Sequence, residues 1–159
     1  MNLQNYDTWN GIKKDISTNH KEINFNEKEI FMSYVGYNIG FEQNGDKHQD
    51  YLRPILVYKK FSRKLFLGIP LTTTQRDGKF YHSFVFKDEK VSTAILSQVR
   101  LFDTKRLKYR MGQIKDKDFE ILIKKFKKLI DVTPWKSRGA VKTDLWTKLY
   151  LIKSKNDIN

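Results

Sequence analysis

The sequence contains no cysteine, which excludes disulfide bonds, thiolate metal sites and cysteine nucleophiles. A chain without thiols is compatible with a reducing compartment, so we expect a cytoplasmic protein. Long apolar runs are also missing. Residues 1–16 contain no continuous apolar stretch, and the run from Phe66 to Leu71 is far too short to span a membrane. We therefore expect neither secretion nor a membrane partner.

Several motifs of well-known catalytic sites are absent as well. There is no GxxxxGK[ST] phosphate loop, no HExxH, no GxSxG and no EF-hand pattern. The three histidines, His20, His48 and His82, are scattered along the chain. The acidic residues are scattered too, whereas a two-metal nuclease needs several convergent carboxylates. We therefore predict no metal and no cofactor, and any phosphodiester cleavage would be independent of metal.

Positive charge, by contrast, is in excess. The chain has 31 Lys+Arg against 18 Asp+Glu, a formal net charge of +13 and a pI near 9.8. This balance favours a polyanionic partner, and nucleic acid is the first candidate. A generic basic surface, or an AT-rich genome that favours Lys, Asn and Ile codons, would give the same composition. Charge alone leaves these alternatives open.

Two helices are predicted, one on each side of a β region. The first is indicated by three apolar residues at helical spacing, Trp9, Ile12 and Ile16. Asp7, just before them, is a candidate N-cap. The second begins at Asp116, another candidate cap. Its apolar stripe recurs at helical steps with lysines on the opposite side, at Phe119, Leu122, Ile123, Phe126, Leu129 and Ile130. The lysines are predicted to form a solvated face.

Between the helices the pattern is that of short strands. Five segments rich in β-branched and aromatic residues are separated by polar or glycine-containing joints, at 29–36, 54–61, 64–73, 79–86 and 93–102. Such a series predicts a mainly β fold with a compact barrel. The long polar connection from Gly36 to Leu52 is the kind of loop in which function often resides.

These patterns divide the chain into three parts. We predict an N-terminal helical extension at 1–28, a barrel domain at 29–131 and a basic C-terminal extension at 132–159. The last part mixes apolar residues with a basic end, which fits either a second short helix or a mobile tail. No linker separates two domains.

Four segments of the β region occur in a characteristic order. They are GYNIGFEQNG at 36–45, LRPILV at 52–57, GIPLTT at 68–73 and STAILSQVRLFDTKRL at 92–107. In this order they resemble the successive signatures of the MazF/PemK family of type II toxin–antitoxin systems. The resemblance implies an SH3-like small β-barrel that forms a homodimer. It also implies an RNA groove near the dimer interface, which a segment of a cognate acidic antitoxin occupies.

The activity implied by this resemblance is sequence-selective, metal-independent cleavage of single-stranded RNA such as mRNA. Without a metal, the 2′-hydroxyl loses a proton, charge on the phosphoryl oxygens is stabilised and the departing 5′-oxygen is protonated. The expected products are a 2′,3′-cyclic phosphate and a 5′-hydroxyl.

The resemblance carries over two catalytic residues. Arg53 matches the arginine of the RP motif, and its planar charged fork would stabilise the cleaved phosphate and assist proton transfer. Thr72 matches the threonine at the end of the third strand and would hydrogen-bond the phosphate or the attacking hydroxyl. Each has a structural alternative, a carboxylate pair for Arg53 and an ordinary strand-end role for Thr72. We predict that Arg100, Asp103 and Arg106 form an ion-pair network rather than a catalytic group.

The RNA-binding residues implied by the resemblance come from two segments. Glu42 and Gln43 match the EQ of the loop after the first strand, and Gln98 matches the glutamine of the SQ segment. These three would hold the loop and touch bases. Phe41 and Ser97 depart from the family, since some members have a histidine and an acidic residue at these positions. Phe41 is instead predicted to stack on an RNA base, and the general base is unassigned.

Two other functions fit the same sequence. The related CcdB toxins share the fold and poison DNA gyrase by binding it. A basic nucleic-acid-binding module without enzymatic activity needs only the barrel and the charge. Incubation with RNA in EDTA separates the ribonuclease from both alternatives.

Overall fold

Two helices flank a curled antiparallel sheet in the computed structural model, which describes residues 3–19, 23–87 and 90–131. The helices are α1 (Leu3–Asn19) and α2 (Asp116–Ile130). The strands are β1 (Glu29–Tyr34), β2 (Leu52–Lys60), β3 (Leu65–Thr72), β4 (Tyr81–Lys87), β5 (Lys90–Ile95), β6 (Arg100–Asp103) and β7 (Leu107–Gln113). The predicted fold class, a mainly β barrel with a helix before and after it, is confirmed. The C-terminal extension at 132–159 and His20 lie outside the described residues.

The sheet curls because β3 pairs with different strands along its length. Hydrogen-bonded neighbours follow the order β4-β5-β3-β2-β1-β7, while β6 also pairs with β3. The first half of β3 faces β6, from Leu65 to Gly68, and its last two residues face β5. As a result, the end of β3 lies where the sheet bends, and Thr72 is its final residue.

Two apolar cores fill the two sides of the sheet. Successive residues of a strand point to opposite faces, so Ile30 and Leu56 enter one core while Phe31 and Ile55 enter the other. All four side chains are fully buried. Each contributes about 1.5–3 kcal/mol by leaving water. The first core is closed by α2, and the second by the aromatic rings Phe25, Phe66 and Phe102.

Helix α2 packs as its apolar stripe predicts. Phe119, Leu122 and Phe126 are buried against the sheet, and the Tyr58 ring lies edge-on to Phe126 with centroids 5.0 Å apart. The predicted cap is wrong by one residue. Lys115 occupies the N-cap position without a side-chain hydrogen bond, and Asp116 is the first helical residue, where its carboxylate pairs with Lys28 at 3.1 Å. A carboxylate in the first turn still favours the helix through the backbone dipole.

Helix α1 also confirms the predicted spacing and corrects the predicted start. Trp9 and Ile16 are buried and Ile12 is half-buried, so these residues form the inner face. The helix begins at Leu3, which places Asp7 inside the helix and excludes it as the N-cap. No helix among the described residues is long and apolar enough to cross a membrane.

The strand count differs from the prediction at two places. The segment 93–102 is not one strand, because a 3-10 helix at Leu96–Gln98 separates β5 from β6. Strand β7 was missed altogether. Lys108, Tyr109 and Arg110 are exposed in succession, so the strand lacks the alternation that identifies a half-buried strand from sequence.

Candidate active site

Arg53 is held between a loop and a strand end. It is the second residue of β2, and its Nε donates to the carbonyl oxygen of Asn44 while its Nη1 donates to the carbonyl oxygen of Leu71 at 3.1 Å. Two backbone acceptors therefore fix the plane of the guanidinium fork. The described residues offer no hydrogen-bond partner for Nη2.

The electrostatic setting of Arg53 suits a phosphate-binding role. Burial lowers the pKa of Arg53 below its ordinary value, and the Asp46 carboxylate opposes this effect. An arginine stays protonated despite such a shift, because its ordinary pKa lies far above neutrality. The residue is thus a permanent cation that has lost part of its hydration, and an oxyanion would meet it with less competition from water.

Thr72 lines the same cleft as Arg53 and follows Leu71, whose carbonyl oxygen binds the guanidinium group. Its Oγ1 accepts a hydrogen bond from Thr74 N at 3.2 Å, which leaves the hydroxyl hydrogen free to point elsewhere. Arg53 and Thr72 line one cleft of about 360 Å³, together with Thr73, Ser92 and Asp46. The structure therefore brings the two candidate catalytic residues into one cleft, with a cation and hydroxyl groups on its walls.

The connection between β1 and β2 is an ordered loop, residues 35–51, which we call the 35–51 loop. Its two ends meet, since Val35 N and Gly36 N both donate to the carbonyl oxygen of Tyr51. A Cβ on Gly36, which has a φ of +95°, would collide with the Trp9 ring, and a Cβ on Gly45 would collide with the Tyr51 carbonyl. Both positions therefore require glycine for close packing.

The Gln98 side chain binds backbone atoms at the tip of the 35–51 loop. Its Oε1 accepts from Gln43 N at 3.0 Å, and its Nε2 donates to the Phe41 carbonyl oxygen at 3.1 Å. The structure thus groups Phe41, Gln43 and Gln98. Ser97, next to Gln98 in the 3-10 helix, is exposed, and the Phe41 side chain is exposed completely, at 102%.

Glu42 lies in the same loop but on another side of it. Its carboxylate accepts from Ile39 N at 3.3 Å and closes a turn. The side chain lines a second cleft, of about 530 Å³, between the loop and α1, together with Tyr6 and Arg106. None of the five predicted RNA-binding residues lines the cleft that Arg53 and Thr72 share; these are Phe41, Glu42, Gln43, Ser97 and Gln98.

Arg100 and Arg106 do not form the expected ion-pair network with Asp103. Arg100 Nη2 donates to the Val35 carbonyl oxygen at 2.7 Å, and Arg106 Nη1 donates to the Tyr34 carbonyl oxygen at 3.0 Å. The Asp103 carboxylate instead caps a 3-10 helix by accepting from Lys105 N. Burial lowers the pKa of both arginines, and the Arg106 charge adds to the effect at Arg100 while Glu42 opposes it. At Arg106 the Asp103 carboxylate opposes the effect of burial on the pKa, so Asp103 acts on Arg106 through its charge without a salt bridge. Through these two hydrogen bonds, Arg100 and Arg106 hold the backbone where β1 ends and the 35–51 loop begins.

The two described histidines lie in different surroundings. His48 is exposed in the 35–51 loop. His82 is buried on β4 beneath α2, and its Nε2 has no hydrogen-bond partner. Within the described part of the chain, no three His, Asp or Glu side chains lie close enough together to hold a metal ion.

Sequence reasoning missed the residues that act through their backbone. Asn44 supports Arg53 with its carbonyl oxygen, and Asn38 joins the loop to its neighbours through both its side chain and its backbone. The only signal in the sequence was the Asn- and Gly-rich composition of the loop. Asp46 and Ser92, which line the cleft, carried no signal in one sequence.

A comparison with models of protein families matches residues 37–130. The matched model describes PemK-like, MazF-like toxins of type II toxin–antitoxin systems. The match covers more than half of the 159 residues and includes every candidate site residue named above. A comparison with curated protein sequences gave no match.

Several solved structures have the same fold. MazF from Deinococcus radiodurans aligns with a TM-score of 0.57 at 15% identity, over 68% of this chain and 97% of that one. An endoribonuclease in complex with its cognate antitoxin, from a mycobacterial species, aligns with a TM-score of 0.54 at 13% identity, over 70% of this chain and 99% of that one. A MazE–MazF structure from Deinococcus radiodurans gives 0.52 at 11% identity, over 71% and 100%.

Proposed function

Because this chain belongs to the family of PemK-like, MazF-like toxins of type II toxin–antitoxin systems, we propose that it is a metal-independent endoribonuclease of single-stranded RNA. The observation that carries the proposal is the shared cleft of Arg53 and Thr72. A permanent cation with one unpartnered N–H side and a hydroxyl beside it form a set that can bind the non-bridging oxygens of a phosphodiester.

Cleavage in this cleft proceeds by attack of the 2′-oxygen on phosphorus. The 2′-hydroxyl gives up its proton as the new P–O bond closes a 2′,3′-cyclic phosphate. The bond to the 5′-oxygen breaks and that oxygen takes up a proton to leave as a 5′-hydroxyl, so there is no net change in protons. Negative charge grows on the phosphoryl oxygens during this step. Arg53 stabilises it with Nη2, and Thr72 donates its hydroxyl hydrogen to the phosphate or orients the attacking hydroxyl.

In this proposal, residues of the 35–51 loop and of the 3-10 helix at Leu96–Gln98 contact the RNA bases, outside the lining of the cleft. Phe41 supplies an exposed ring for stacking on an unpaired base. Gln98 bonds the backbone of Phe41 and of Gln43, Ser97 precedes Gln98 in the 3-10 helix, and Glu42 extends the surface toward α1. The bases that are preferred depend on the shape of this loop, since single-stranded RNA is read through unstacked bases.

The family and the charge support a proposal for the partners and the location. We assign to the chain a cognate acidic antitoxin, a homodimeric state and a cytoplasmic location. The net charge of +13 favours an acidic protein partner as well as RNA. Two of the similar structures are a mycobacterial endoribonuclease with its cognate antitoxin and a MazE–MazF pair.

The test is incubation of the purified full chain with an end-labelled single-stranded RNA in excess EDTA, followed by mapping of both new ends. We expect discrete cuts with 2′,3′-cyclic phosphate and 5′-hydroxyl ends. Arg53→Ala protein prepared in parallel controls for contaminating ribonuclease. Intact RNA would contradict the proposal. Inhibition of gyrase supercoiling would then favour the CcdB-like alternative, and salt-sensitive RNA binding without scission would favour the binding module.

A further inference from the structure

Helix α1 precedes the family match at residues 37–130, yet it contacts the loop that supports the candidate site. Trp9 is the centre of this contact. Its ring covers Gly36 at the start of the 35–51 loop and lies 5.9 Å from the Tyr51 ring at the end of the loop. The Arg106 guanidinium group lies 5.6 Å from the same Trp9 ring. One helix thus packs against both ends of the loop.

A second contact reaches further into the 35–51 loop. The Tyr6 hydroxyl donates to the carbonyl oxygen of Asn38 at 3.3 Å, and the Tyr6 ring lies edge-on to Tyr37 with centroids 4.7 Å apart. On the same helix, Asn5 Oδ1 accepts from the Tyr51 hydroxyl at 3.4 Å. These polar contacts fix where the loop lies along α1, which apolar packing alone does not do.

Asn38 passes this constraint to the middle of the loop. Its backbone N–H donates to Asn44 Oδ1 at 2.6 Å, and its side-chain Nδ2 donates to the Gln43 carbonyl oxygen at 2.8 Å. Its Oδ1 also accepts from Arg100 Nη1 at 3.4 Å. The carbonyl oxygen of Asn44 then accepts from Arg53 Nε. Three hydrogen bonds, joined through the covalent structure of Asn38 and of Asn44, therefore connect Tyr6 on α1 to the guanidinium group of Arg53.

We propose that α1 is a brace for the 35–51 loop, and that Tyr6 is a positioning residue that acts on Arg53 through Asn38 and Asn44. Tyr6 touches neither Arg53 nor Thr72, so it acts on the rate only by keeping the Arg53 fork in the orientation that faces the phosphate. The activity part of this inference rests on the proposed ribonuclease function. The structural part, order in the loop, does not.

The test compares Tyr6→Ala, Tyr6→Phe and a matched control, Thr8→Ala. Thr8 is exposed on the same helix, and its hydroxyl bonds only within the helix, to the Gln4 carbonyl oxygen. Alanine is a better helix former than tyrosine or threonine, so neither alanine variant melts α1 by lowered propensity. Tyr6→Phe keeps the ring contact with Tyr37 and removes only the hydroxyl.

Two measurements are made on each full-length variant, hydrogen exchange of the backbone amides of Asn38 and Gly45, and kcat and KM for a defined RNA. For Tyr6→Ala we expect exchange to be about tenfold faster and kcat about tenfold lower, with a smaller rise in KM because the same loop carries Phe41 and Gln43. For Tyr6→Phe we expect about a third to a half of the wild-type kcat, because one hydrogen bond is lost. Thr8→Ala should match the wild type in both.

Two outcomes would overturn the proposal. If Tyr6→Ala and Thr8→Ala give the same exchange at Asn38 and Gly45, α1 does not brace the loop. If exchange is faster and kcat is unchanged, Tyr6 is not a positioning residue. An inactive wild-type protein would contradict the ribonuclease function alone, since the exchange measurement still decides whether α1 braces the loop. In Tyr6→Phe, exchange at Asn38 should be faster than in the wild type but slower than in Tyr6→Ala, because the hydroxyl bond to Asn38 is lost while the ring contact with Tyr37 remains. Equal melting temperatures for Tyr6→Phe and the wild type guard against general destabilisation.

Discussion

Arg53 donates from Nη1 to the carbonyl oxygen of Leu71 over 3.1 Å, which ties β2 to the end of β3 one residue before Thr72. This bond sets the two candidate catalytic side chains relative to each other through the backbone. A shift of the guanidinium group would therefore require the strand end to move as well. The alternative role for Arg53, a brace formed with a carboxylate, is not what the side chain does, since its partners are carbonyl oxygens.

Removal of the Arg53 fork tests its role in the transition state. Arg53→Ala should lower single-turnover cleavage by about a hundredfold or more, equivalent to about 3 kcal/mol, because developing phosphoryl charge loses its donor. Arg53→Lys should be nearly as slow, since a point charge cannot replace a planar fork with two fixed bonds. Circular dichroism checks that both variants fold. Cleavage by Arg53→Ala at the wild-type rate would exclude Arg53 from the chemistry.

A substitution at Thr72 separates its hydroxyl from its shape. Thr72→Val keeps the β-branched side chain at the strand end and should lower kcat by about tenfold or more, because one donor to the phosphate is lost. Thr74→Val is the control. Its hydroxyl is exposed, and only its backbone N–H is used, as the donor to Thr72 Oγ1. Equal rates for the two variants would show that Thr72 has only a structural role at the end of β3.

The Gln98 side chain makes two bonds to the loop tip, and their loss has a defined consequence. Gln98→Ala leaves Gln43 N and the Phe41 carbonyl oxygen without these partners, so we expect KM for RNA to rise by about tenfold. Gln98→Glu keeps an acceptor for Gln43 N but loses the donor to Phe41, and should fall between. Hydrogen exchange at Gln43 reports the loop directly. An unchanged KM in both variants would show that Gln98 does not shape the RNA surface.

Phe41 tests stacking without a change in stability. Its side chain is wholly exposed, so Phe41→Ala should leave the melting temperature unchanged. RNA affinity should fall by about 1–3 kcal/mol if the ring stacks on a base. Ile39→Ala in the same turn, where the side chain is 70% exposed, controls for general apolar contact. Similar binding by both alanine variants would argue against stacking, whereas Phe41→Trp should retain affinity.

His82 gives the fold a dependence on pH. Burial lowers its pKa, the nearby Lys125 charge adds to this, and Asp118 opposes it. The folded state therefore binds a proton less readily than the unfolded state. Stability should fall as pH decreases below the ordinary histidine value of about 6.5, and continue to fall until the lowered folded pKa is passed. Denaturant unfolding of His82→Phe and of the wild type at pH 7.5, 6.5 and 5.5 checks this, and parallel curves would contradict it.

The elements that could be predicted from sequence are those in which buried positions carry apolar side chains and exposed positions carry polar ones. Helix α2 has buried apolar residues at helical steps, such as Phe119 and Phe126. The helix is recognisable from sequence because one face is apolar and the opposite face is rich in lysine. Strand β7 could not be predicted, because Tyr109 is exposed beside two charged residues and the strand is defined by pairing with β1. The 3-10 helix that begins at Leu96 and separates β5 from β6 could not be predicted, because Leu96 is buried and continues an apolar run in the sequence.

The candidate site divides in the same way. Arg53 and Thr72 were identified from motifs, and the structure adds that they share a cleft. The support from Asn44 could not be predicted, because a backbone carbonyl is present at every residue and only the folded loop decides which one faces Arg53. The predictions of Asp7 and Asp116 as helix N-caps were wrong for a related reason. Helix starts depend on where the preceding chain turns, and a single acidic residue suits the first turn as well as the cap.

Strand β1 has a consequence for how this protein can be divided. It pairs with β2 on one side and β7 on the other, and it ends at Tyr34, before the family match begins at residue 37. A fragment cut at residue 37 would carry two open sheet edges, whose backbone groups would pair with strands of other molecules. Aggregation is the expected fate of such a fragment. The smallest unit with a complete sheet therefore includes β1, even though the recognisable family signatures begin after it.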